Sequence, residues 1–292
     1  MKILAVGDFQ GLFPRKLQRA INKEEFDLIV GVGDYGGISD WRPWVMQNLR
    51  DSKAGKPYLT AEEYFGKKGL KRLVKRDNMA AMHVLQTLDT IGKPFISVFG
   101  NGDDGWYTYK FSKGLPPSIK GNRKILNRLI NFRDITYSSA KLKGINFVGF
   151  GGYMDIDAYF DKKIFPDAKK NGLRMHRRTK SRNNFLKRLK NIGNKNGKIL
   201  VLHYPPKGAF NIIRDKKDNP MNGKSAGIGF FTEAIKKYKP KLVLCGHMHE
   251  YQGFKRVGNT IVVNPGDAEK GKYAIIDYPS NGNGKIKVRI VK

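Results

Sequence analysis

The chain of 292 residues is 40% hydrophobic and 11% aromatic, a composition that excludes wholesale disorder. No apolar run approaches the ~20 residues of a membrane span, the N-terminus lacks the longer apolar region of a signal peptide, and the single Cys245 excludes a disulfide framework or a cysteine-based zinc site. With 56 Lys and Arg residues against 25 Asp and Glu residues, the formal net charge is +31, so we expect a soluble, cytoplasmic protein that attracts anionic partners and avoids membranes.

Short apolar, β-branched runs bounded by Gly, Asn, Asp or Pro predict strands. The predicted strands are Ile3–Val6, Leu28–Val32, Phe95–Phe99, Ile145–Phe150, Ile199–Leu202, Leu242–Leu244, Thr260–Val263, Tyr273–Ile276 and Ile286–Val291. Helical periodicity predicts helices at Leu12–Ile21, Leu70–Ile91, Ile125–Phe132, Phe185–Ile192 and Phe230–Tyr238. This alternation predicts an α/β fold, and the closely spaced strands near the C-terminus add antiparallel pairing. We expect a four-layer αββα sandwich of two mixed β-sheets flanked by helices.

The sequence contains no repeat or convincing linker, so we predict a single domain over residues 1–292 with two inserts. Residues 40–69 carry Trp41 and Trp44 and predict a cap, in which packing of the tryptophans is favoured over base stacking. Residues 162–198 form a basic insert with Asp167 as its only acid. This insert is either a solvated helix face without a specific role or a contact surface for nucleic acid.

Metal-ligating residue types follow five of the predicted strands. In chain order they are Asp8, Asp34, Asn101, His203 and the pair His247 and His249. Because the carboxyl ends of strands gather along one edge of an α/β sheet, we expect these side chains to meet there. Two carboxylates, one amide and three imidazoles suit a pair of divalent ions such as Mn, Fe, Zn, Ni or Co better than Ca.

Several motifs occur in a familiar order: Gly7-Asp8-Phe9-Gln10, Gly33-Asp34, Gly100-Asn101-Gly102-Asp103, His203-Tyr204-Pro205-Pro206, Gly246-His247-Met248-His249-Glu250 and Asn264-Pro265-Gly266. From Asp8 to about Asp267 the chain resembles the calcineurin-like metallophosphoesterases, and in particular their small archaeal and bacterial members. The first two blocks are also similar to the lariat-debranching-like branch. The resemblance implies a phosphoesterase with two divalent metal ions, of which manganese is favoured and Fe, Zn, Ni, Co or Mg are alternatives.

The resemblance also assigns roles to individual residues. It implies that Asp8, Asp34 and His249 hold the first metal, with Gln10 where the family has histidine. Asp34 would bridge to the second metal, whose ligands would be completed by Asn101, His203 and His247. A hydroxide between the ions would attack phosphorus in line while the metals neutralise the developing charge.

Two residues depart from the family pattern. Gln10 offers a neutral amide oxygen in place of imidazole, which weakens the first site or shifts it toward Mn or Mg. Gly102 replaces a histidine that contacts phosphate in the family and is often assigned to protonating the leaving group. Asp103, Asp104 or another group takes over this role, or the leaving group needs little help, or catalysis has decayed.

Two functions therefore stay open. The first is a phosphodiesterase acting on a nucleotide or nucleic-acid phosphodiester, with Asp34, Asn101 and Asp103 in its catalytic machinery. The alternative is a nucleic-acid-binding protein on a calcineurin-like scaffold with a degenerate metal site. A third reading, dinucleotide binding by Gly31-Val32-Gly33-Asp34-Tyr35-Gly36, is disfavoured because Asp34 would face the pyrophosphate.

Overall fold

The structure is a computed structural model that describes residues 1–57, 59–104, 114–153, 172–192, 197–215, 217–279 and 284–292. Two six-stranded mixed sheets pack face to face. One apolar cluster fills the space between them, and two further clusters lie between each sheet and its helices. The expected αββα sandwich is therefore confirmed.

The strands run in chain order as β1 (Lys2–Val6), β2 (Leu28–Gly31), β3 (Phe95–Ser97), β4 (Phe132–Asp134), β5 (Ser139–Leu142), β6 (Ile145–Phe150), β7 (Lys198–Leu202), β8 (Leu242–Leu244), β9 (Gly253–Val257), β10 (Thr260–Asn264), β11 (Tyr273–Asp277) and β12 (Lys287–Val291). The first sheet has the order β12-β11-β1-β2-β3-β4 and the second β5-β6-β7-β8-β10-β9. Strands β1 to β4 are mutually parallel, as are β6, β7, β8 and β10. The other pairs are antiparallel: β11 with β1, β12 with β11, β5 with β6, and β9 with β10.

Strand register brings the predicted ligands to one edge. Parallel pairing of β1 with β2 places Val6 beside Gly31, and the N–H of Asp8 donates to the carbonyl of Gly33 at 2.8 Å. In the second sheet the N–H of Gly246 donates to the carbonyl of His203 at 2.9 Å. Backbone hydrogen bonds alone therefore hold the strand ends of each sheet together.

The helices are α1 (Arg15–Ile21), α2 (Arg42–Lys53), α3 (Ala61–Asp89), α4 (Asn101–Asp104), α5 (Arg123–Leu126), α6 (Gly172–Ile192) and α7 (Gly229–Tyr238). Helix α3 begins with a capping box, in which Thr60 accepts from the N–H of Glu63 and the Glu63 carboxylate accepts from the N–H of Thr60. Gly66 interrupts its first turns with φ 67° and ψ 157°. Within the described residues, no helix is long and apolar enough to span a membrane.

The predicted helix Ile125–Phe132 is wrong. Only the single turn Arg123–Leu126 is helical, and Phe132 begins β4 beside Phe95 of β3. Pairing with β3, which is distant along the chain, overrides the local helical pattern. The sequence reasoning also missed β4, β5 and β9, which are short or rich in exposed polar residues.

Both predicted inserts contain regular structure. Residues 40–69 form α2 and the start of α3, and Trp41 and Trp44 are buried with Phe65 and Leu70 in a small apolar cluster, which confirms packing over base stacking. In the basic insert, helix α6 buries Phe185 and Leu189 against the second sheet. Residues 162–171 and 193–196 lie outside the described residues. The division into one domain with two inserts stays a prediction.

Candidate metal centre

The backbone at the strand ends adopts a conformation that few side chains tolerate. Asp8, Asp34 and His247 have φ values of 56°, 56° and 69°, and Gln10 has φ 49°. For L-residues this left-handed region costs roughly 1–2 kcal/mol per residue, although Asp, Asn and His tolerate it better than most. Strain of this kind concentrates at functional sites, where the surrounding hydrogen bonds hold it in place.

The first group of potential ligands joins residues that follow β1 and β2 of the first sheet to one that follows β8 of the second. One ligand atom each of Asp8, Asp34 and His249 lies within 4.8 Å of the others. The Nε2 atom of His249 is 3.6 Å from Oδ1 of Asp8. The Gln10 side chain ends between two of these residues, with Nε2 at 3.3 Å from Oδ2 of Asp34 and 3.5 Å from Nε2 of His249. The four residues expected at the first metal are thus adjacent.

The second group shares Asp34 with the first. Ligand atoms of Asp34, His203 and His247 lie within 4.8 Å of one another. Oδ1 of Asn101 is 2.8 Å from Nε2 of His203 and 2.8 Å from Nδ1 of His247. Oδ1 of Asp34 faces this group, at 3.5 Å from Nε2 of His203, whereas its Oδ2 faces Gln10. Asp34 therefore has the geometry of a bridging ligand.

The hydrogen-bond geometry of His203 fits a cation site. Nδ1 of His203 lies 2.8 Å from the carbonyl of Val32, which can only accept, so in the neutral ring this nitrogen carries the proton. Nε2 then presents its lone pair to the oxygens of Asn101 and Asp34. Lone pairs that face one another in a buried site are unfavourable unless a positive charge lies among them, so the donor set fits divalent metal ions.

Burial and mutual charge displace the pKa values of this cluster. Burial raises the pKa of Asp34 and lowers that of His247, which the neighbouring His203 and His249 lower further. Burial also acts to lower the pKa of His249, but hydrogen bonding and attraction to Asp8 outweigh it and raise the pKa to about 9. Bound divalent cations favour deprotonated carboxylates and neutral imidazoles, so metal binding would release protons from this cluster.

The two glycines of Gly100-Asn101-Gly102 are required by close contacts. A Cβ on Gly100 would lie 2.1 Å from Oδ1 of Asp34. The N–H of Gly102 donates to that same oxygen at 2.8 Å, and a Cβ on Gly102 would lie 3.0 Å from Cα and 3.1 Å from N of Gly37. The backbone of Gly37 thus fills the space beside Gly102, and a histidine there would require this turn to move.

Asp103 faces the backbone instead of the metal ligands. Its buried carboxylate accepts from the N–H groups of Asp34, Tyr35, Gly36 and Gly100 at 2.8–2.9 Å. Burial raises its pKa to about 7, with repulsion from Asp34 as a second cause. This geometry argues against Asp103 as a proton donor to substrate. Asp104 is also engaged, by Lys120 Nζ at 2.6 Å and the N–H of Tyr153 at 3.1 Å.

Sequence reasoning missed two buried carboxylates near the ligands. Asp77 lies on the apolar face of α3 and accepts from Gly37 and Ile38; a charged residue in register with buried leucines is the signal that could have revealed it. Asp267 is fully buried, and one of its oxygens is bonded by Lys270 at 2.6 Å. Its other oxygen has no hydrogen-bond partner within the described part of the chain.

Comparison with known proteins agrees with this geometry. The sequence matches, over residues 1–289, the family described as "Metallophosphoesterase, calcineurin superfamily". The chain belongs to this superfamily. The match confirms the family resemblance and places the ligand groups of this metallophosphoesterase in a family that depends on a dinuclear metal centre.

Individual relatives share part of the sequence or the fold. An uncharacterized protein of Methanocaldococcus jannaschii, MJ1162, is 31% identical over 159 residues, which are 50% of this chain and 62% of that protein. This metallophosphoesterase therefore spans less than two thirds of that curated relative. The crystal structure of TT1561 of Thermus thermophilus has a TM-score of 0.54 at 17% identity, covering 100% of this chain and 99% of that one. Another crystal structure has a TM-score of 0.61 at 21% identity, covering 99% and 98%. At these identities the likeness shows the fold alone.

Proposed function

We propose that this metallophosphoesterase hydrolyses phosphodiesters of nucleotides or nucleic acids with two divalent ions, manganese favoured. The observation that carries the proposal is the convergence of two ligand groups on Asp34, whose two carboxylate oxygens face opposite groups. When bound, such an ion pair supplies a hydroxide nucleophile at neutral pH and neutralises charge on the attacking and leaving oxygens.

The chain's own residues hold and orient that centre. Asp34 is fixed by the N–H of Gly102 on its carboxylate and by Asp103, which accepts from the backbone N–H of Asp34. The Val32 carbonyl sets the tautomer of His203. Asp103 is thus a positioning residue in this proposal, while Asp34 and Asn101 would hold the metals. A bound ion pair would supply the charge neutralisation at the leaving oxygen that Gly102 cannot.

A basic stripe on α3 supports a polyanionic substrate. Six exposed cations lie on the solvent face of this helix, opposite its buried leucines. They are Lys67, Lys68, Lys71, Arg72, Lys75 and Arg76. At about 1.5 Å per residue the stripe is roughly 14 Å long, and among these residues Arg76 pairs with Asp40 at 3.0 Å. Such a row attracts a chain of phosphates more strongly than a single phosphate group.

Hydrolysis of bis-p-nitrophenyl phosphate tests the proposed phosphodiesterase activity. EDTA-stripped protein is supplied with Mn, Mg, Zn, Ni, Co or Fe singly, and p-nitrophenyl phosphate is assayed in parallel. We expect metal-dependent turnover of the diester above that of the monoester, and its loss in Asp34→Asn. Monoester turnover above diester turnover would contradict the diester preference, and no turnover with any ion would favour the nucleic-acid binder with a degenerate site.

Binding of a labelled single-stranded oligonucleotide in EDTA tests whether the basic stripe on α3 binds a polyanion. The variant changes Lys67, Lys68, Lys71 and Arg72 to Gln, and the matched control changes Lys236, Lys237, Lys239 and Lys241 to Gln. The control residues are also exposed but precede the amino end of β8, away from its ligand-bearing end. Four lost phosphate contacts would reduce the salt slope by about 3. Equal effects of both variants would show that only net charge matters.

A further inference from the structure

Five consecutive backbone N–H groups, from Asp34 to Ile38, donate to two buried carboxylates. Asp103 accepts from the first three, at 2.8, 2.9 and 2.9 Å. Asp77 accepts from Gly37 at 2.7 Å and from Ile38 at 3.0 Å, both through Oδ1. Asp103 comes from the metal-site motif itself, whereas Asp77 comes from α3, a helix that supplies no metal ligand. The turn after the bridging ligand is therefore held from two separate parts of the fold.

The part of the turn that Asp77 holds lies against the metal centre. A Cβ on Gly37 would be 3.3 Å from Cα of Gly102 and 3.5 Å from Oε1 of Gln10. Gly37 has φ 81°, a conformation that favours glycine, and a Cβ there would also press on the backbone of Gly102. Gly37 is thus one wall of the space in which the Gln10 amide rotates.

Orientation matters for Gln10 in a way that it does not for the carboxylate ligands of the first metal. Its amide has a donor end and an acceptor end, and only the oxygen can bind a cation. In the present orientation Nε2 faces Asp34 and His249. To serve the first metal the amide must turn its oxygen inward and keep it there, and the wall formed by Gly37 limits its freedom to turn away again.

Asp77 is an unusual residue at its position. It is 4% exposed on the apolar face of α3, and burial raises the pKa of its carboxyl to about 6 in spite of the backbone hydrogen bonds from Ile38 and Gly37. A buried carboxylate of this kind is unfavourable unless its hydrogen bonds compensate. The side chain of Trp41 also hydrogen-bonds this carboxyl. Removing Asp77 would leave the two backbone N–H groups and the Trp41 side chain without their acceptor.

We propose that Asp77 is a positioning residue of the metal centre, which fixes Gly37 against Gln10 and Gly102 and thereby sets the Gln10 amide at the first metal. The inference rests on the proposed metal-dependent function. It assigns the α3 helix a task beyond packing: the helix completes the first metal site without supplying a ligand. Because Gln10 replaces a rigid imidazole, this chain has a need for such a support that a histidine ligand would not create.

The test is Mn²⁺ affinity, measured by calorimetry and by the EPR signal of free Mn²⁺, with urea unfolding of the same samples. The perturbing variant is Asp77→Ala. The matched control is Asp89→Ala, which lies on the same helix and also removes a buried carboxylate that accepts two backbone N–H groups, those of Ile130 and Asn131. We expect both variants to lose stability but only Asp77→Ala to lose Mn²⁺ affinity, by about 10- to 100-fold at the weaker site.

Two further variants keep the test decisive if Asp77→Ala does not fold. Asp77→Asn retains the oxygen that accepts both N–H groups, so it should keep Mn²⁺ affinity within about threefold, a loss well below the range for outer-sphere substitutions. Gly37→Ala leaves Asp77 intact but adds a Cβ beside Gln10, so it should lower the affinity. The inference would be overturned if Asp77→Ala and Gly37→Ala both bound Mn²⁺ as tightly as the wild type. If Asp77→Ala does not fold, wild-type affinity in Gly37→Ala would suffice to overturn it. Failure of the wild type to bind Mn²⁺ would contradict the proposed function itself.

Discussion

Replacing Gln10 by histidine would restore the ligand type that the family has at this position. The backbone permits it, because φ at Gln10 is 49° and histidine is among the residues that tolerate the left-handed region. In both side chains Nε2 is the same number of bonds from Cβ. The imidazole nitrogen can therefore reach the position that Nε2 of Gln10 now occupies, 3.3 Å from Oδ2 of Asp34 and 3.5 Å from Nε2 of His249.

These separations decide the expected size of the effect. Two ligand atoms that are each about 2.1 Å from one ion lie roughly 3.0–3.5 Å apart in tetrahedral or octahedral geometry. The new imidazole would thus enter the first coordination sphere without moving Asp34 or His249. Exchange of a neutral amide for imidazole should tighten Mn²⁺ binding at the first site about tenfold, or about 1.4 kcal/mol. The gain should be larger for Zn²⁺ and small for Mg²⁺, following their ligand preferences.

Calorimetric titration of the EDTA-stripped wild type and Gln10→His with each of the three ions would measure these gains. Gln10→Asn is the matched control, since its shorter amide cannot reach the same position and should weaken the first site. If Gln10→His binds Mn²⁺ and Zn²⁺ no more tightly than the wild type, Gln10 does not occupy a ligand position. Equal gains for Zn²⁺ and Mg²⁺ would refute the argument from ligand type.

Three other predictions concern stability. Glu24 accepts hydrogen bonds from the Tyr273 hydroxyl at 2.7 Å and from Arg289. The bond from Arg289 is the largest cause of the lowered pKa of Glu24. Glu24→Gln should therefore cost up to about 1 kcal/mol in urea unfolding at pH 7. The stabilisation from a lowered pKa is fully present above the ordinary value of 4.5 and is lost as the pH falls through the folded pKa, so the difference from wild type should shrink over that range; a constant difference would disprove it. Phe231→Ala, which removes a fully buried ring packed against Phe150, should lower the free energy of unfolding by about 3–5 kcal/mol in the same assay, and a loss below about 1 kcal/mol would contradict the assigned packing. Mn²⁺ at about 100 times its dissociation constant should stabilise the EDTA-stripped wild type by about 2.7 kcal/mol in thermal unfolding, and Asp34→Asn should abolish the shift.

The predictable part of the fold consists of elements whose own residues carry the signal. β1, β2 and β7 are short apolar runs that lead into Asp8, Asp34 and His203. Parallel pairing brings the end of β1 beside that of β2 in the first sheet, and the end of β7 beside that of β8 in the second. β4 and the end of the wrongly predicted helix Ile125–Phe132 carry no such signal. Their conformation depends on pairing with β3, a contact between distant parts of the chain.

The sequence by itself determined the ligand types, their order and the glycines beside them, because each is attached to a strand that forms from local pattern and general sheet topology. Only the tertiary structure decided what surrounds them. It turned Asp103 toward the backbone, placed Gly37 against Gly102 and brought Asp77 from α3 to the same turn. Contacts among residues 37, 77 and 102 have no local signature, since they depend on how α3 packs on the first sheet, and that packing follows from the shape of the whole core.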